Sequence, residues 1–320
     1  MELDSIITAY RESPHLVQLH ESLLRDKRAL LKGLVGSQDA IVASAYYKNH
    51  PCTNLYILSD KEEAAYFQNN LQNSLEKKDI LFFPDSFKRL AQINEINPLH
   101  ASHRTECVNR VSNSDTTGEL ICTYPAALFE KVVSKKSLDQ FTIKIAVNEK
   151  LDLDHFTEML VEHGFEHVDF VYEAGQFSIR GGIVDVFSYA NEYPYRIELF
   201  DVEVESIRTF DPSSQLSQKK IAKISIVPNI QKQYAQEELV PFFSILPADS
   251  IIWLKDADML IDIVEKAWEK ANDILANHKE TIYDGALPNI NSFCSIKDIL
   301  YAIEQFQIVE FGGKGFFVKE

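Results

Sequence analysis

From Met1 to about Lys32 the apolar residues recur at helical spacing: Ile6, Ile7 and Tyr10, then Leu16, Leu19, Leu23 and Leu24, at three- and four-residue steps. The texture changes from Ala29. Ala29–Ser37 predicts a short strand running into a glycine-bearing turn, and Gln38–Lys48 a helix. Asn54–Ser59 is an apolar strand, and Asp60 then offers a side-chain oxygen to the unpaired N–H groups opening a helix over Lys61–Leu75. A strand over Asp79–Phe83 is closed by Pro84. A helix around His103–Val111, a strand over Glu119–Tyr124 and a helix over Ala126–Val133 follow. Strands alternating with helices in this way predict an α/β fold, a mostly parallel sheet with helices on both faces.

Beyond about Gln140 the pattern shifts again. Phe141–Val147 is a strand with polar alternation and Asp152–Gly164 a helix. Val168–Glu173, Gln176–Phe187, Arg196–Asp201 and Glu203–Phe210 then predict strands in close succession. Short connections between strands imply antiparallel pairing, so this segment is expected to be an inserted α+β domain with an antiparallel sheet. After Pro228 helices and isolated strands return, with a strand around Trp253 and a helix over Ala257–Ala276. At roughly 150 residues per domain, the length suggests two units or three. Three segments are expected: 1–140, 141–228 and an α/β remainder over 229–320.

Charge narrows the function. There are 32 Lys plus Arg against 48 Asp plus Glu, a formal charge of −16. Gripping a nucleic-acid backbone over a broad surface needs clustered cations, which this balance opposes while leaving room for a local basic patch. With 45% hydrophobic and 25% charged residues the chain is too apolar for disorder. Cys52, Cys107, Cys122 and Cys294 are far apart and form no CxxC pair, which argues against zinc and disulfide frameworks. Early charges and the lack of a long apolar core predict neither signal peptide nor membrane anchor, and hence a cytoplasmic location.

The segment Gly33-Leu34-Val35-Gly36-Ser37-Gln38-Asp39-Ala40 stands between a predicted strand and a predicted helix, where a nucleotide-binding loop belongs. A working loop reads G-x-x-x-x-G-K-[ST]: backbone N–H groups cradle phosphate, the Lys neutralises charge and the hydroxyl binds magnesium. In that register Gln38 replaces the second Gly, Asp39 the Lys and Ala40 the Ser/Thr. Two like charges about 4 Å apart repel by roughly 4 kcal/mol at an effective dielectric near 20, so ATP binding is disfavoured here. An ordinary glycine-bearing turn with no such ancestry reads the same way.

Several blocks carry a family resemblance: Asp60–Phe67, Leu81–Phe87, Thr123–Glu130, and above all Val168–Phe187, Pro194–Phe200 and Ser206–Asp211. Their Arg-Gly, Tyr-Arg-Ile-Glu and Ile-Arg-Thr-Phe-Asp signatures, in series between about Leu31 and Pro228, resemble the N-terminal region of the bacterial transcription-repair-coupling factors. That resemblance implies a UvrB-like module: a RecA-like domain with a degenerate nucleotide site and an inserted domain that recruits UvrA. It also implies that ATP, magnesium, DNA and RNA polymerase belong to parts of a longer protein, since neither a P-loop Lys-Ser/Thr nor a DExH-type box occurs here. The segment itself is expected to need no cofactor and to be no enzyme. A UvrB-type ATPase with a modified nucleotide site is the alternative. The short Ser86–His103 stretch, poor in aromatics, departs from the DNA-clamping hairpin of UvrB.

On the strand around Tyr195–Phe200, alternation puts Tyr195, Ile197 and Leu199 on one face and Arg196, Glu198 and Phe200 on the other. A Phe beside an Arg on a polar face has the composition of a protein-binding hot spot. Arg180 precedes Gly181-Gly182, where a bulge is expected to re-aim its strand. Residue by residue, the resemblance implies that Arg180, Arg196 and Phe200 contact UvrA. Guanidinium forks suit carboxylates, which points to acidic groups on the partner. Against this, both arginines could pair with local acids such as Glu198, with Phe200 in the core. His163 with His167, and His100 with His103 and Cys107, lack a complete metal-ligand pattern. Lys135-Lys136 and Lys219-Lys220 read as solvated basic pairs, and Trp253 and Trp268 as core anchors.

Overall fold

The computed structural model describes residues 3–75, 79–86, 97–113, 118–229, 238–277, 290–312 and 314–318. The opening helical stretch is two helices, α1 (Leu3–Arg11) and α2 (Pro14–Asp26). The break is chemical: Ser13 caps α2 by accepting from His15 N, and Pro14, with no N–H to lose, takes the first position. Lys27, at φ +57°, ends α2 and turns the chain into β1 (Arg28–Leu31). Then come α3 (Gln38–Asn49), β2 (Asn54–Ile57), α4 (Lys61–Ser74), β3 (Leu81–Phe82), α5 (Pro98–Asn113) and β4 (Leu120–Thr123). Asp60 caps α4 by accepting from Glu63 N at 2.8 Å, as its position before the helix predicts.

The helix expected over Ala126–Val133 stops early. α6 (Pro125–Phe129) ends at Glu130, which bridges to Phe293, and Val132–Val133 form β5. The Glu130 carboxylate is buried and accepts from Ser86 N and Oγ at 2.8 and 2.6 Å. Ser134 then caps α7 (Lys135–Phe141).

Next come β6 (Ile143–Ala146), α8 (Leu153–Glu162, capped by Asp152), β7 (Glu166–His167), β8 (Gln176–Arg180), β9 (Ile183–Val186), β10 (Tyr195–Phe200), β11 (Glu203–Phe210), β12 (Ser217–Lys220) and β13 (Lys223–Ile226). The expected strand over Val168–Glu173 is absent. There Gln176 Oε1 accepts from Tyr172 N and Glu173 N, closing a turn. The single strand expected over Gln176–Phe187 is a hairpin, since Arg180 pairs with Ile183 across Gly181-Gly182. The chain closes with β14 (Leu239–Val240), β15 (Ile251–Leu254), α9 (Ala257–Asn277), α10 (Ile296–Glu304) and β16 (Gln307–Phe311).

Two six-stranded sheets organise these elements. The first has the order β1-β16-β15-β2-β4-β3, with every pairing parallel. The two late strands lie between β1 and β2, so the first sheet draws on chain from both sides of the middle segment. Trp253 anchors its core, with Tyr46, Tyr56 and Phe311 rings at 5.9, 5.6 and 6.3 Å and its indole N–H donating to Asn54 Oδ1 at 2.7 Å. The second sheet, β12-β11-β10-β9-β8-β7, is antiparallel except for the β7–β8 pair. It has its own apolar cluster, including Phe156, Leu160, Phe177, Val184 and Ile197. Among the described residues the protein is thus α/β, with a parallel six-stranded sheet, a largely antiparallel one and two two-stranded pairs, β13–β6 and β14–β5. Among the described residues no helix is long and apolar enough to cross a membrane.

Candidate functional site

The second sheet follows period-two alternation closely. On β10, Tyr195 and Ile197 are buried, whereas Phe200 on the opposite face is 77% exposed. Gly181, at φ +61°, makes the two-residue turn between β8 and β9, so Arg180 ends a strand at a hairpin and not at a bulge. The irregularity lies instead in β10 against β11, between Glu198 and Leu199. Leu199 N donates to Gly182 O at 2.7 Å just beside it. A Cβ on Gly182 would stand 2.8 Å from Leu199 O, so the close approach demands glycine.

Register then brings the polar face together. Ser178 faces Asp185, Asp185 faces Arg196, and Arg196 faces Arg208, a row crossing β8 to β11. Arg196 is held on three sides. Its Nε and Nη2 donate to the two Asp185 oxygens at 2.7 and 2.9 Å, its Nη1 donates to Gln215 O at 3.2 Å, and the Phe210 ring lies 4.5 Å below. The hydrogen bond to Asp185 raises the Arg196 pKa, against the opposing effect of burial. Arg180 donates to the same Asp185 and, at 3.0 Å, to Asp169 O, with the Phe170 ring 5.2 Å away. Its side chain remains 37% exposed, that of Arg196 16%.

Both arginines therefore do pair locally, but with Asp185 and not Glu198, whose carboxylate takes Arg208 Nη2 and Ser206 Oγ at 2.6 Å each. Phe200 is not core. Sequence reasoning missed Asp185, Phe210 and Gln215. The signal for Asp185 was present: a lone carboxylate between Val184 and Val186 points to the face opposite theirs. Reading Arg-Gly-Gly as a hairpin turn would have set it across from Ser178.

The glycine loop sits between β1 and α3, with Gly33 at φ +78° and Gly36 at φ +60°. Ser37 is the N-cap residue, but its hydroxyl makes no capping bond and accepts from Asn70 Nδ2 at 3.4 Å. Gln38 Oε1 turns back onto Val35 N at 2.9 Å. Asp39 accepts from Ala40 N at 2.7 Å, and Lys255, just past β15, lies 3.7 Å from its other oxygen and pairs with Glu63. Burial pushes the Asp39 carboxyl above its usual range, with the Ala40 N–H and Lys255 opposing. Burial acts on Glu63 too, but hydrogen bonds from Lys255 and Ser59 outweigh it and hold that carboxyl low. The start of α3 thus already holds an anion from the chain itself, balanced by one ammonium shared between two carboxylates.

The remaining candidates have other partners. His100 contacts Asp85 O at 2.7 Å and Lys61 Nζ at 3.0 Å, Cys107 Sγ reaches Phe82 O at 3.4 Å, and His163 and His167 lie against the rings of Phe141 and Phe177. Among the described residues no group of three or more His, Cys, Asp or Glu is placed to hold a metal ion. Most of the Ser86–His103 stretch, residues 87–96, lies outside the described residues.

Comparison with known proteins places this face in context. Residues 143–232 match the family described as the UvrB interaction domain. The transcription-repair-coupling factor of Bacillus subtilis (strain 168) is 31% identical over 231 residues, 71% of this chain and 19% of that protein. Those of Staphylococcus haemolyticus (strain JCSC1435) and Staphylococcus epidermidis (strain RP62A) are 26% and 27% identical over 69% and 70% of the chain, again 19% of each. The chain spans about a fifth of the length of these relatives. The resemblance carried by the sequence signatures holds: the chain is a relative of the N-terminal, UvrB-like region of the transcription-repair-coupling factors.

Proposed function

We propose that the chain is a protein-binding module of transcription-coupled DNA repair, which recruits the excision-repair protein UvrA through the polar face of its antiparallel sheet. The observation that carries this reading is the arrangement of Arg180, Arg196 and Phe200 on one face, inside the segment that matches the UvrB interaction domain. An exposed ring on the same face as two fixed guanidiniums is the chemistry of an interface anchor, and it suits a partner that offers both carboxylates and an apolar surface. The segment near 141–228 is the recruiting unit. The parallel sheet is a RecA-like scaffold with a degenerate nucleotide site, needing neither ATP nor magnesium and performing no hydrolysis. The longer protein is an ATP-dependent translocase on DNA that displaces stalled RNA polymerase in the cytoplasm.

Replacing Arg196 or Phe200 by Ala is expected to weaken UvrA binding by about 2 kcal/mol, as for a central anchor; the melting temperature should stay unchanged for Phe200→Ala and fall for Arg196→Ala, which leaves the buried Asp185 carboxylate to Arg180 alone. Undiminished binding of UvrA by both variants removes the assignment. The competing reading, a UvrB-type ATPase with a modified site, draws on the position of the glycine loop between a strand and a helix. Titration with a fluorescent ATP analogue separates the two: micromolar binding favours the ATPase. The triple change Gln38→Gly, Asp39→Lys and Ala40→Thr tests the ancestry of the loop, because restored nucleotide binding requires the backbone cradle to have survived.

A further inference from the structure

Two arginines of the candidate face converge on one carboxylate, and that carboxylate is out of reach of any partner. Asp185 is 0% exposed, with Arg196 on both oxygens and Arg180 on one. Its chain neighbours Val184 and Val186 are buried in the apolar cluster on the other side of the sheet. Holding a carboxylate in such a place costs desolvation that an apolar side chain would avoid, so its presence asks for a reason other than stability.

We propose that Asp185 is a positioning residue for partner capture, an inference that rests on the UvrA-binding reading of this face. It fixes both guanidiniums before the partner arrives, so that the order needed in the complex already exists in the free protein. A guanidinium has five N–H donors. Arg196 spends two on Asp185 and one on Gln215 O, and Phe210 covers one of its flat sides. One N–H on each terminal nitrogen is left for a ligand. Two cations against one anion leave the spot positively charged within a chain of net charge −16, and Phe200 stands exposed on the same face. The ligand this selects is a surface of UvrA that presents an acidic side chain to the guanidiniums and an apolar one farther along the strand, to Phe200.

The test is a double-mutant cycle on the full chain with purified UvrA. Asp185→Asn keeps the shape of the side chain and removes its charge. It is expected to weaken binding about tenfold, as loss of side-chain preorganisation does. In an Arg180→Ala/Arg196→Ala background the same change is expected to weaken binding no further, since there is nothing left to position. An equal loss in both backgrounds would mark a general structural role and overturn the proposal. Should Asp185→Asn not fold, the wild-type chain still decides: the Arg196 Nε–H is expected to exchange slowly with water before UvrA is added, and exchange as fast as that of a free side chain would refute positioning. If Arg196→Ala and Phe200→Ala leave UvrA binding intact, the recruiting face itself is wrong. If they weaken it and Asp185→Asn does not, only the positioning role falls.

Discussion

Lys255 shows how much a single side chain can hold in place. Its ammonium lies between Asp39 at the start of α3 and Glu63 on α4, and all three side chains are mostly shielded from water. Replacing it by Met removes the only cation described beside these two carboxylates, leaving two anions close together in a poorly solvated place. Lys255→Met is expected to lower stability by about 1–2 kcal/mol in urea unfolding, discounted from the cost of breaking a fully buried pair. Adding Asp39→Asn should return part of that loss, because one uncompensated charge is then gone. If Lys255→Met unfolds like the wild type, the triad contributes nothing. Asp39 itself was legible from the loop, where it stands in place of the usual Lys. Lys255 was not, because a partner so distant in sequence becomes visible only through the parallel pairing of β15 with β2.

At the scale of elements, local chemistry decided what could be read. α4 and α8 were placed within a residue or two, since Asp60 and Asp152 announce their first turns. β16 was not anticipated as a strand because Glu310 interrupts its apolar run. Its buried carboxylate is satisfied by Phe316 N, Phe317 N and Val318 N at 2.7, 3.0 and 2.9 Å, partners no pattern reveals. The β8–β9 hairpin is hidden in the sequence for a simpler reason: Gly181-Gly182 reads equally as a bulge within one strand. That turn yields a graded expectation. Gly181→Ala meets no neighbouring atom and should cost about 1 kcal/mol for its left-handed backbone. Gly182→Ala must push against Leu199 O and should cost about 2–3 kcal/mol. Equal costs in chemical denaturation would mean the close approach is relaxed in solution. Of the candidate face, alternation gave Arg196 and Phe200 their side of the sheet, while Asp185 needed the correct turn.

For the molecule as a whole, histidines set the response to mild acid. Burial holds His50, His100, His103 and His163 below the ordinary value near 6.5, with the stacked His20 ring adding to the shift at His50. As pH falls through about 6.5 the unfolded chain gains protons that the folded one refuses, so stability present above that value is lost on acidification. The melting temperature is expected to fall between about pH 7.5 and 6, and the double change His100→Gln and His103→Gln should flatten that fall. A melting temperature independent of pH there would show these rings to be solvated. The separation of the apolar clusters makes a second expectation at this scale: the piece 141–228 should melt cooperatively on its own, since Phe156, Phe177 and Ile197 belong to a cluster apart from that of the parallel sheet.

Among the described residues β1 is hydrogen-bonded within its sheet to β16 alone, and β15 and β16 separate it from β2. During synthesis the early strands therefore wait, with open flanks, for the last part of the chain to leave the ribosome. The middle segment needs no such delay and can finish first, a completed lobe on an unfinished base. Arrested nascent chains ending before residue 296 should resist protease across the middle segment and be cut readily within the first 50 residues, whereas chains carrying β16 clear of the exit tunnel should resist in both places.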